Sequence, residues 1–159
     1  MAIRGLGWLL GLALAGCAAS PPTPLSVGSI AIDRMVMASA PEAGADVAAY
    51  AGFENRGVDD RLLEIECDCA QSVELHRVVS EGRQTRMRND FPLALPSAVR
   101  TEVRPPGVPL HFMLIKTVRP FVVGERILMR LRFERAGNMD VVFTVVASTR
   151  EGWDAWPGP

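Results

Sequence analysis

Between Leu25 and Thr149 short runs recur in which apolar residues alternate or are β-branched. Leu131 and Phe133, then Val141, Phe143 and Val145, alternate with polar or second-face neighbours. A two-residue period puts successive apolar side chains on one face of a half-buried strand. Alternating or β-branched runs predict strands over 27–33, 48–55, 61–67, 72–79, 126–134 and 139–147, with 110–115 as a further candidate. Turn signals separate them: Asn55-Arg56-Gly57, Ser80-Glu81-Gly82, Pro105-Pro106-Gly107 and Ala136-Gly137-Asn138. No stretch keeps a helical period over three turns, and 41–46 reads as a loop or one helical turn. Strands at this spacing predict an all-β, antiparallel sandwich over residues 27–149. Residues 150–159 read as an irregular tail that Trp153 and Trp156 dock onto the sandwich.

The N-terminus follows a different pattern. Met1 to Gly7 carry one charge, Arg4, and an uncharged apolar run follows to Ala15. About ten apolar residues are too few to cross a bilayer, which takes about 20. The run fits a secretory signal, assigned to residues 1–16. It ends in Leu14-Ala15-Gly16-Cys17, which resembles a bacterial lipobox and implies lipidation at Cys17. Residues 17–26, rich in proline, read as a semi-rigid tether from that anchor. The expected location is the bacterial cell envelope, facing the periplasm.

Composition narrows the function. The chain has 159 residues and a formal net charge of -1, so nothing favours nucleic-acid binding. Only two histidines, His76 and His111, are present, which excludes a three-imidazole site. Their neighbours form a pattern. Met87 follows His76 after ten residues, and Met113 follows His111 after one. If 110–115 is a strand, His111 and Met113 share a face. Met87 sits in the charged segment Thr85-Arg86-Met87-Arg88, where a core methionine has no periodic reason to be. Thioether sulfur is soft and neutral and suits Cu(I). Zinc sites use thiolate, imidazole and carboxylate instead. A two-His, two-Met set therefore predicts the metal as well as the site.

Several segments together resemble the periplasmic copper chaperones of the PCu(A)C type. They are 49–57, Val73-Glu74-Leu75-His76, Met87, 106–114 and 131–137. That resemblance implies a cupredoxin-like, Greek-key β-sandwich. It implies metal ligation by His76, Met87, His111 and Met113, and Cu(I) as cargo. It further implies delivery to the dinuclear copper site of cytochrome oxidase, alongside thiol-bearing assembly proteins, with no catalytic reaction. The interval from Met87 to His111 is slightly longer than the family's, and the extra length falls among Pro and Gly. Beyond Met139 there is no His or Met, so the second copper site that some relatives carry on a C-terminal tail is not expected.

Cys67-Asp68-Cys69 stands outside that motif. In a strand the two Cα atoms would lie about 6.6 Å apart, near the limit for a disulfide, and a turn would bring them closer. Three readings stay open: a redox or disulfide element, additional soft ligands for Cu(I), or inert buried thiols. The alternative functions are accordingly a thiol-redox protein or a metal-free assembly adapter of the envelope. A blue-copper centre needs a thiolate with two His, and no cysteine follows Cys69. Glu74, two residues before His76, is a candidate to orient its ring. Arg86 and Arg88 read as a solvated face or a steering patch for an acidic partner. Met129 and Met139 read as packing, and Met35 and Met37 as core in preference to a shallow copper-entry patch.

Overall fold

The computed structural model describes residues 25–81 and 84–156. The signal segment, Cys17 and the tether as far as Pro24 lie outside the described residues. The strands are β1 (Leu25–Val27), β2 (Ile30–Ala38), β3 (Val47–Asn55), β4 (Asp60–Glu66), β5 (Ala70–Glu81), β6 (Gln84–Asn89), β7 (Leu93–Leu95), β8 (Arg100–Val103), β9 (Leu110–Thr117), β10 (Arg126–Phe133) and β11 (Asn138–Val146). They are hydrogen-bonded in the order β6-β5-β9-β3-β2-β11-β10-β4-β7, with β1 added to β2 and β8 to β3. The sheet curls on itself, so that β5, β9 and β3 face β11, β10 and β4 across one core.

Alternation drives this arrangement. β10 buries every second residue, and its Ile127, Met129, Leu131 and Phe133 face Val141, Phe143 and Val145 of β11 in the core. From the opposite layer Phe53, Leu75, Phe112 and Leu114 enter the same cluster. The Phe112 ring lies 6.3 Å from Phe53, edge-on, and 6.3 Å from Phe91, stacked. Met35, Met37 and Met129 are buried in the core, as their patterns predict.

The structure corrects the sequence reading at several places, and adds the short strands β7 and β8. The sheet is not wholly antiparallel, because β11 runs parallel to β2. The first long strand does not end at Asp33. It continues to Ala38 through a register shift between Asp33 and Val36, where Arg34 takes a φ of 55°. Such a bulge breaks the two-residue period that would have revealed the strand. The polar segment 84–89 is also a strand, β6, at one end of the strand order. It has no apolar face to bury, so alternation could not find it. Residues Thr149–Asp154 form a helix, α1, rather than an irregular tail. Ser148 caps it, accepting from the Glu151 N–H at 3.3 Å, and Ser148-x-x-Glu151 is a capping-box spacing.

The helix seats Trp153 against Val36 and Tyr50 on the outer face of the sheet, and Trp156 packs on the main core. Burial raises the Tyr50 phenol above its ordinary value of 10.0, opposed by a hydrogen bond with Thr149. Beside the β2 bulge, Asp33 pairs with Arg100 at 2.7 Å. This pair lies over Gly52, where a Cβ would come within 2.4 Å of Asp33 Oδ1.

Candidate metal centre

The antiparallel pairing of β5 and β9 sets His76 directly opposite His111, and Glu74 opposite Met113. Residues opposite each other, or two apart on one strand, share a face. His76, His111, Glu74 and Met113 therefore lie together on the outer face, while Leu75 and Phe112 point from the same strands into the core. β6 pairs with β5 so that Met87 stands opposite Val78, two residues beyond His76. All four predicted ligands thus share one face.

They are not equally close. The imidazole centroids are 5.4 Å apart and nearly perpendicular, at 79°. With a nitrogen–metal bond of about 2.0 Å, two rings sharing one ion have centroids no more than about 6 Å apart, so this pair meets the limit. Met113 adjoins the pair on the interior strand β9. Met87 lies beyond His76 on the other side, with 59% of its surface exposed. Its Cα is two strands and four residues from that of Met113, roughly 16 Å on ladder spacings. The β6 edge has to bend over the histidines for both thioethers to reach one ion.

Two hydrogen bonds fix the rings. His76 Nε2 lies 2.7 Å from Glu74 Oε2, and His111 Nδ1 lies 3.0 Å from the Gly107 carbonyl oxygen. A carboxylate and a carbonyl only accept, so these nitrogens carry the hydrogens. In the neutral rings the lone pairs then sit on His76 Nδ1 and His111 Nε2. His76 Nδ1 is buried and has no hydrogen-bond partner. A buried imidazole nitrogen without a partner is costly, unless its lone pair is kept for a ligand.

Gly107 supplies the second bond because it has no Cβ. Its φ is +87°, and a Cβ there would lie 3.2 Å from His111 Nδ1 and 3.3 Å from His111 Cβ. The loop is held over the sheet by the Val78 N–H, which donates to the Pro109 carbonyl at 2.8 Å. The sequence marks Gly107 only as part of a Pro-Pro-Gly turn, so its closeness to His111 was not legible. Glu74 does occupy its expected orienting position.

Cys67 and Cys69 are joined by a disulfide, with Cα atoms 5.0 Å apart. A turn at Asp68-Cys69 brings them within bonding range. This removes them as thiolate ligands at the histidine pair and as inert free thiols. They also lie at the far end of β5, where the seven residues from Cys69 to His76 span about 23 Å of strand. Among the described residues, no three or more His, Cys, Asp and Glu side chains are grouped to hold a metal ion. The other side chains on the face of the histidine pair that carry soft donors are the thioethers of Met113 and Met87.

Arg86 and Arg88 are exposed beside Met87. Arg77 pairs with Asp90 at the same hairpin, and this carboxylate raises the guanidinium further above its ordinary value. Among the described residues, no helix is long and apolar enough to cross a membrane.

No curated protein sequence matches the chain. Solved structures share its architecture. The copper-bound PCuAC domain from PmoF2 superposes with a TM-score of 0.66 at 23% identity, covering 80% of this chain and 100% of that one. The apo PCuAC domain from PmoF1 gives 0.65 at 21% identity, over 79% and 99% of the two chains. The solution structure of CuI-DR1885 from Deinococcus radiodurans gives 0.55 at 23% identity, over 84% of each. At these identities the likeness is one of fold, a cupredoxin-like β architecture. The family model described as "Putative lipoprotein LpqE-like" matches residues 30–145. Covering most of the sequence and all four candidate ligands, that match makes this chain a member of the LpqE-like family, built on the PCuAC fold.

Proposed function

We propose that this protein is a lipid-anchored Cu(I) carrier of the bacterial envelope, which binds copper through His76, His111, Met113 and Met87. It gives the ion up to the assembly of the dinuclear copper site of cytochrome oxidase. The observation that carries the reading is the cross-strand histidine pair, with a buried, unpartnered Nδ1 on His76 and thioethers on the same face. Two neutral imidazoles and two neutral thioethers leave a cuprous complex with a charge of +1 and favour Cu(I) over harder ions. Two of the structural neighbours are described as copper-bound, one of them with Cu(I), which supports the same cargo. The family's description as a lipoprotein supports an anchor at Cys17.

The chain's residues hold, orient and release the ion; no bond of a substrate is broken. Glu74 and the Gly107 carbonyl keep each ring's lone pair available. Met113 sits on an interior strand, whereas Met87 sits on an exposed edge strand. This arrangement gives an incoming acceptor access by displacing Met87 first.

Anaerobic competition against a coloured Cu(I) chelator tests the site. His76→Ala and Met113→Ala should each weaken binding by at least about tenfold. Affinity unchanged in both variants sinks the assignment. Transfer is tested by mixing the Cu(I)-loaded protein with the soluble copper domain of an oxidase subunit. Copper that stays on the carrier in the presence of excess apo-acceptor refutes delivery.

A further inference from the structure

The Cys67–Cys69 disulfide lies at the corner where the chain passes from β4 in one layer to β5 in the other. We propose that it is a thiol–disulfide exchange site, acting on paired thiols of a protein segment with apolar flanks. Four observations carry this. First, the bond contributes little as a staple. It spans a sequence separation of two, and chain-entropy stabilisation is smallest for the shortest loops. The corner is already held without it, by the Val118 N–H donating to the Cys69 carbonyl at 2.9 Å and by Ala70 paired with Thr117.

Second, the two sulfurs differ in access. Cys69 is buried at 8% exposure, whereas Cys67 is half-buried and borders open grooves on both sides. Cys67 is therefore the more accessible of the two for an incoming thiolate, and its buried partner is placed to leave. Third, the Cys69 backbone N–H points at Cys67 Sγ from 3.2 Å. A donor in that position favours thiolate at Cys67 once the bond opens, which makes Cys67 a better leaving group. Fourth, the groove of about 360 Å³ that contains both cysteines is flanked by Val118 and Leu128, each 60% exposed, with Asp68, Arg119 and Arg126 also on its wall. Apolar side chains that stay in water beside a reactive bond fit a peptide landing surface.

The exchange balances without another reagent. A partner thiolate attacks Cys67 Sγ, the Cys67–Cys69 bond breaks, and Cys69 leaves as a thiolate that takes up a proton. The partner's second thiolate attacks its own sulfur in the mixed disulfide and releases Cys67, which is protonated in turn. The partner is oxidised to a disulfide by two electrons, and Cys67 and Cys69 are reduced to thiols. This chemistry is about 23 Å along β5 from the histidine pair and does not depend on copper.

The test uses the full chain, stripped of metal with chelator. The protein is equilibrated in buffers of reduced and oxidised glutathione, quenched in acid and alkylated. Redox state is read by mass on the tryptic peptide from Leu62 to Arg77. The expected result is a titration between disulfide and dithiol within the range of those buffers. A pair that stays fully oxidised in reduced glutathione alone overturns the proposal, and this reading needs no substitution. Cys69→Ser should trap glutathione on Cys67 about tenfold faster than Cys67→Ser traps it on Cys69. Equal rates overturn the assignment of Cys67 as the attacked sulfur. A synthetic dithiol peptide with Val and Leu flanks should be oxidised about tenfold faster than one with Ser flanks, and Leu128→Ser should erase that difference. Equal rates for the two peptides refute the apolar landing surface.

Discussion

Replacing Glu74 by Ala removes the carboxylate that holds His76 Nε2–H at 2.7 Å. Without it the ring is free to turn, and the lone pair no longer has to lie on Nδ1. Partners of this kind are typically worth about 10–100-fold in metal affinity, or about 1.4–2.7 kcal/mol. Here the Glu74 side chain is 40% exposed and the His76 side chain 15%, so water screens the pair and competes for the ring hydrogen. The expected loss is therefore at the low end, about tenfold or about 1.4 kcal/mol. Glu74→Gln keeps a carbonyl acceptor at the same reach and should recover most of that loss. The assay is anaerobic Cu(I) competition with a chromogenic chelator, with thermal melts of the metal-free variants run in parallel. Glu74 is partly exposed and outside the core, so its removal should move the melting temperature by no more than about 4 °C. Wild-type affinity in Glu74→Ala, alongside a large loss in His76→Ala, would refute the orienting role. A large drop in stability in place of affinity would show that the carboxylate supports the sheet instead.

Three further outcomes follow from particular contacts. Gly107→Ala forces a side chain into the left-handed region, at a cost of about 1–2 kcal/mol, and pushes on His111. Gly44→Ala carries the same kind of strain with nothing within 4 Å of its Cβ. Both should lower the melting temperature, but Gly107→Ala alone should weaken Cu(I) binding; equal affinities would show that the loop does not position the ring. Met87→Ala should weaken Cu(I) binding less than Met113→Ala and speed copper release more, because Met87 closes from the exposed edge; stopped-flow transfer to a chelator reads this, and the reverse order would contradict it. Burial raises the Tyr50 pKa, so the folded state prefers the neutral phenol. The stability this gives is full below the unfolded value near 10 and is lost as pH rises through the folded value. Tryptophan fluorescence should report release of Trp153 above that pH in the wild type and not in Tyr50→Phe; identical profiles would show that Tyr50 does not couple to the helix.

The legible parts of this protein are those where one residue's pattern or chemistry speaks for itself. β10 and β11 announce themselves because each buries alternate residues on a single face. The strand β6 does not, because an edge strand with solvent on its outer face carries charge in place of alternation. The bulge at Arg34 hides the second half of β2, since a shifted register moves apolar residues to the other parity. The helix α1 is short, and its capping box was the only signal available before packing.

The candidate site divides in the same way. Spacing nominates His76, Met87, His111 and Met113, and donor softness nominates Cu(I), because both are properties of residue types and their order. Sequence also raises Glu74, since positions two apart on a strand share a face. Which nitrogen of each ring is free is not written in the sequence. It depends on Gly107 folding back over His111 and on β5 and β9 pairing in the register that sets the two rings opposite each other. Nor could Cys67 and Cys69 be placed: the same two residues serve as ligands if β5 bends toward the site and as a remote disulfide if it runs straight. It runs straight, and an extended strand turns seven residues of sequence into about 23 Å of distance. Sequence therefore nominated the candidate donors, and the pairing of strands decided which of them meet.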